Sequence, residues 1–161
     1  GLGIPADPLV RSSIPHNLYY MDKKKSVLDV TVVKLVCRLE ESVCLYIDKS
    51  MPKKFRPTLV QQLVNGLGQA RKYTIKAMDL SPRFAVQKLF YMEEAMSEVN
   101  NAEALLNTLN DLQSISNEAK AKLDIQLADI YVNFSRLLNS FGKRAEEADT
   151  QRQADASDLT Y

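Results

Sequence analysis

The sequence predicts an all-α fold, an antiparallel up-down-up-down four-helix bundle, on three observations. Apolar residues recur at three- and four-residue steps through four segments of roughly 20–28 residues. Strand-type alternation is absent, and the prolines fall before the first segment or between segments. Short connections between consecutive helices favour antiparallel neighbours, which makes the up-down bundle the most economical packing. The chain has 161 residues, 45% of them hydrophobic and 25% charged, the profile of one folded domain and not of a disordered one. At this length folding buries roughly 68–70% of the surface that the unfolded chain exposes, so neither disulfide nor metal is needed to hold a core.

Residues 1–25 are rich in Pro and Gly and carry no helical period, so they read as an irregular arm or a tag remnant, with Met21 a candidate native start. Helix one runs from Ser26 to Lys49 without Pro or Gly. Leu28, Val32, Leu35, Leu39, Val43 and Tyr46 form one stripe on it. Val30, Val33, Cys37, Cys44 and Ile47 form a second, about 140° away on a 3.6-residue wheel. A surface helix needs only one such stripe, so the second is expected to be an oligomer interface or to be centrally buried. Exposed in a monomer, it would make an apolar patch larger than monomers usually carry.

Pro52 and Pro57 bracket a basic loop, after which Thr58 and Gln61 have the spacing of a capping box. Leu59, Val60, Leu63, Leu67, Ala70, Thr74, Ala77 and Met78 then give the inward face of helix two, to about Asp79. Gly66 and Gly68 each cost about 1 kcal/mol of helix propensity, which points to a closely packed neighbouring helix. Ser81 and Pro82 restart the chain as N-cap and first-turn residue. Ala85, Leu89, Met92, Met96, Val99, Ala102, Leu106 and Leu109 carry helix three to about Asn110. Helix four follows Ser114, Ile115 and Ser116, with Leu123, Leu127, Ile130, Phe134, Leu137, Leu138 and Phe141 inward and Gly142 placed as its stop. The bundle is thus expected over 26–141, and the acidic residues 142–161 as a flexible tail, either a frayed helical extension or disordered.

Few chemistries are supported by what the faces present. Cys37 and Cys44 would lie about 10.5 Å apart along a helix, too far for a disulfide, and read as small buried hydrophobes. His16 is the only histidine, and no Glu-x-x-His pair, phosphate loop or nucleophile elbow occurs, so no metal, cofactor or catalytic residue is expected. No apolar run is long enough to span a membrane and no secretory signal opens the chain, so a cytoplasmic protein with reduced thiols is the default. With 21 Lys+Arg against 20 Asp+Glu, any nucleic-acid contact has to come from a local patch. That patch is Lys53, Lys54 and Arg56 in the loop with Arg71, Lys72 and Lys76 on helix two, a set able to neutralise phosphates.

The stretch MPKKFRPTLVQQL at 51–63, the later LNDLQSISNEAKAKL and the closing LADIYVNFSRLLNSF resemble the Avd-like four-helix-bundle family over about residues 26–141. That family includes the accessory variability determinants of diversity-generating retroelements and the proteins of ribosomal RNA intervening sequences. The resemblance implies a homopentamer of bundles and, for the first branch, a non-enzymatic accessory role. The implied partners are further copies of the chain, a reverse transcriptase and its template RNA, in support of mutagenic complementary-DNA synthesis. The alternative expectation is a homo-oligomeric structural bundle of the intervening-sequence type with no nucleic-acid role.

Overall fold

The computed structural model describes residues 26–159. The expected arm over 1–25, including His16, lies outside the described residues, as do the last two positions. Four α-helices form the bundle: α1 (Thr31–Ser50), α2 (Gln61–Asp79), α3 (Ala85–Asp111) and α4 (Asn117–Leu159). Among the described residues there is no strand. Helix α1 packs against α2 and α4, and α3 likewise packs against both α2 and α4.

Short tight turns open the first three helices. Ser26 Oγ accepts the Leu28 N–H at 3.3 Å and starts the 3₁₀ turn Val27–Asp29 ahead of α1. Before α2 the chain makes a 3₁₀ turn at Lys53–Phe55 and then a π-helical turn at Arg56–Val60. The capping role expected of Thr58 is therefore corrected, because the backbone is already helical at Arg56 and no side chain caps it. Pro57 sits in that first turn, where a missing N–H leaves nothing unsatisfied. Ser81 does precede a 3₁₀ turn at Pro82–Phe84, but through its backbone, its carbonyl accepting the Phe84 N–H at 2.9 Å. Ser116 caps α4 with its hydroxyl, which accepts the Ala119 N–H at 3.1 Å.

The α3–α4 connection is a Schellman motif. Ser114 N–H donates to the Leu109 carbonyl and Gln113 N–H to the Asn110 carbonyl, each at 2.9 Å. Gln113 takes the left-handed position with φ 60° that glycine ordinarily fills. The motif turns Ile115 back into the core, where it is 1% exposed.

The inward faces of α2 and α4 follow the expected periods, and that of α3 does so in part, Leu89 and Met96 being half-buried while Lys88 and Ala95 are buried. Leu63, Leu67, Ala70, Thr74 and Ala77 are buried from α2, Met92, Val99, Ala102, Leu106 and Leu109 from α3, and Leu123, Leu127, Ile130, Phe134 and Phe141 from α4. Helix α1 differs from expectation. Its buried face is one stripe, Val32, Val33, Val36, Leu39, Val43 and Ile47, drawn from both expected stripes and including Val36, which belonged to neither. Val33 is 0% and Ile47 8% exposed within a single chain, so the expectation that they form an oligomer interface is corrected: the bundle itself covers them. Val30 and Cys37 are half-buried, and Cys44 is exposed instead of buried.

Two glycine expectations are also corrected. A Cβ at Gly68 would meet only the ends of Glu40 and Arg71, at 3.6 and 3.9 Å, so no close helix approach requires it. Gly142 does not stop α4, which runs on to Leu159 with open space around that glycine.

Two outcomes follow from these positions. Gln113→Gly relieves the left-handed strain, and thermal unfolding should show a stability gain of about 0.5–1 kcal/mol. Val33→Asp should unfold the bundle, seen as loss of helical circular dichroism, whereas a folded but smaller species would return Val33 to an interface.

Candidate nucleic-acid interface

The six expected cations separate into groups with different tasks. Lys53 and Lys54 are exposed on the turn before α2, with the Lys54 ammonium 5.0 Å from the centre of the Phe55 ring. Arg56 is half-buried, and its Nη2 donates to the Ile47 carbonyl at 3.1 Å. A cation at the end of a helix interacts favourably with the helix dipole, and Arg56 shares the Ile47 carbonyl with the Met51 N–H, so it ties α1 to the turn that follows it. It is not presented to a phosphate.

Arg71 is also engaged. Its Nε donates to Glu40 Oε1 at 2.7 Å across the α1–α2 seam. The guanidinium is partly exposed, so the pair adds no more than about 1 kcal/mol, and its main effect is to neutralise the cation locally. Glu40, Asn65, Gln69, Arg71 and Lys72 line one shallow groove of about 570 Å³, where a phosphate near Lys72 would also face the Glu40 carboxylate. Lys76 is exposed, with its ammonium 5.5 Å from the centre of the Tyr91 ring on α3. Lys53, Lys54, Lys72 and Lys76 are therefore the candidates that remain from the expected six.

These four do not form one tight cluster. Lys76 lies about 22 Å along the helix axis from Gln61, at 1.5 Å per residue, while Lys53 and Lys54 precede that helix. The four are spread over α2 and its preceding turn, with Lys72 beside the Glu40 groove at the α1 seam and Lys76 reaching towards Tyr91 on α3. Lysine side chains of this kind contact backbone with little base preference.

Comparison with known proteins finds no matching family model, no similar curated protein and no similar solved structure.

The sequence reading missed two basic residues that the fold brings together. Arg83, at the start of α3, and Arg152, on the extension of α4, line a groove of about 300 Å³ with Phe84 and Ala148. Only the continuation of α4 past Gly142 places Arg152 there. Among the described residues no group of three or more His, Cys, Asp or Glu could hold a metal ion, and no helix is long and apolar enough to cross a membrane.

A buried lysine was missed as well. Lys88, 5% exposed, donates from Nζ to the Ala77 and Leu80 carbonyls at 2.6 Å each, and lies 5.2 Å from the centre of the Phe141 ring. Burial, with Arg144 nearby, pushes its pKa below the ordinary lysine value, while Asp79 opposes the shift. The folded chain therefore releases this proton at lower pH than the unfolded chain, so this group's contribution to stability rises with pH between the two pKa values. Elsewhere, burial and the hydrogen bond to Glu103 push the Tyr131 phenol above its usual range. Cys37 is raised too, by burial and then by Glu40, which leaves its thiol protonated at neutral pH.

Removing Lys88 orphans two carbonyls at the end of α2. Lys88→Ala should lower stability by about 2–3 kcal/mol in denaturant melts. A change under about 0.5 kcal/mol, the range of ordinary surface substitutions, would show that the ammonium is not needed as a cap.

Proposed function

We propose that this chain is a non-enzymatic accessory protein that holds an RNA for a partner enzyme. On the Avd-like resemblance, that enzyme is a reverse transcriptase of a diversity-generating retroelement and the RNA its template. The observation that carries the reading is the exposure of Lys53, Lys54, Lys72 and Lys76 on α2 and the turn that precedes it. The protein supplies positioning, and polymerase chemistry belongs to the partner. The same reading takes the bundle as up-down-up-down, for which the α1–α2 pair offers support, Glu40 in mid-α1 meeting Arg71 in mid-α2 while Ile47 near the end of α1 meets Arg56 in the turn before α2. It takes the assembly as a homopentamer in the cytoplasm, where repetition of weakly phosphate-binding lysines raises effective concentration.

A second reading has its own observation. Arg71 is paired with Glu40 and Arg56 with the Ile47 carbonyl, and cations used in this way suit a structural bundle that oligomerises without nucleic acid.

Salt-dependent binding separates the two. The double variant Lys72→Ala, Lys76→Ala should weaken binding of single-stranded RNA and reduce the magnitude of the log–log salt slope by about 1.4, at about 0.7 per lost phosphate contact. Arg71→Ala should change that slope less than either lysine does. Absence of RNA binding by the parent chain, with a cognate reverse transcriptase present, would favour the structural reading.

A further inference from the structure

The outward face of α4 carries an apolar seam that the bundle does not use. Ala121, Ile125, Ala128 and Val132 are all exposed, with Ile125 at 66% and Val132 at 51%. Their spacing of four, three and four residues is that of a coiled-coil seam, alternating d and a positions. The seam is about 16 Å long at 1.5 Å per residue. It is bounded by Glu118 at one end and by Ser135 and Asn139 at the other, all exposed.

We infer that this seam is a two-fold docking surface for the α4 helix of a second copy of the same chain, set antiparallel. The side-chain sizes select that partner. With the two-fold axis between Ile125 and Ala128, each Ile125 lies against Ala128 of the other copy and each Val132 against Ala121. Every layer then pairs a β-branched side chain with a small one, the large-against-small complementarity that close helix packing needs.

The flanking charges select the same orientation. Lys122 and Asp129 occupy the e positions beside the seam and are both exposed, Lys122 with only a solvent-exposed contact to Glu118 at 4.0 Å on its own helix. In an antiparallel pair e positions face e positions, so each Lys122 meets the Asp129 of the other copy, twice by symmetry. Glu118 comes level with Ser135 and beside Arg136. A parallel pair would instead set Lys122 against Asn117 and Asp129 against Asp124, which already pairs with Lys120, so no opposite charges would meet across it. The two-fold contact is isologous and closes as a dimer. It does not depend on the nucleic-acid reading or on the pentamer. The seam is shorter than a standard interface of about 800 Å² per partner requires, so the dimer is expected to be weak and concentration-dependent.

Analytical ultracentrifugation of the full chain over rising concentration tests this. The expected result is a mass that doubles with rising concentration, starting from the smallest species present, either the 18.2 kDa chain or a closed ring of chains. Ile125→Asp, at a position two-thirds exposed and so compatible with folding, should weaken self-association about tenfold or more with unchanged circular dichroism. Lys122→Asp and Asp129→Lys should each weaken it, and the double exchange should restore it. A parent that stays monomeric to millimolar concentration would overturn the inference. So would an assembly of any size unaffected by Ile125→Asp, which would place oligomerisation elsewhere and leave the accessory-protein reading standing. Failure of the double exchange to restore what both single changes removed would also overturn it.

Discussion

A balance of side-chain volume across one shared core is the constraint on which the rest of this bundle depends. Helix α2 turns Ala70, Thr74 and Ala77 inward and α3 turns Ala85, Ala95 and Ala102 inward, so both offer small residues along much of their buried faces. The bulk of the core comes from Leu39 of α1, Leu127, Ile130 and Phe134 of α4, and the large residues that α2 and α3 set between their small ones, Leu63, Leu67, Met92, Leu106 and Leu109, all fully or almost fully buried. Interiors packed at crystal-like density have no slack for an idle apolar stripe. That is why α1 contributes a single face made from both of its candidate stripes.

The Lys88 end of the core follows from the same constraint. Phe141 is 3% exposed, and the Lys88 ammonium above its ring also takes the last carbonyls of α2. One side chain thus closes the core, caps a neighbouring helix and fixes the level at which α3 and α4 meet. Beyond it α4 continues as a largely exposed helix whose Ala145 and Ala148 are half-buried. The charged groups that the bundle does not consume in this way are the ones left for partners.

The inward faces of α2 and α4 were legible in the sequence because their apolar residues keep a helical period with polar residues between, whereas on α3 the adjacent Leu89, Phe90, Tyr91 and Met92 blurred the period and hid Lys88 and Ala95. Helix α1 was not, because Val30, Val32, Val33, Leu35, Val36, Cys37 and Leu39 follow one another so closely that a helical wheel cannot choose among them. The reach of α4 was misjudged at Gly142, since a glycine is both a common helix stop and tolerable inside a helix held by its neighbours. At the site, the exposure of Lys53, Lys54, Lys72 and Lys76 was legible from their polar surroundings. The engagement of Arg56 and Arg71 was not, because it rests on tertiary partners, Glu40 lying 31 residues from Arg71.

Lysine footprinting tests the central claim most directly, that the four exposed lysines along α2 and its preceding turn are the surface that meets RNA. The full chain would be acetylated at low reagent concentration with and without single-stranded RNA, and each lysine read by mass spectrometry. The account predicts protection of Lys53, Lys54, Lys72 and Lys76, with Lys34 on α1 and Lys122 on the outer side of α4 labelled equally in both conditions. Equal labelling of all four, or protection confined to other lysines, would contradict it.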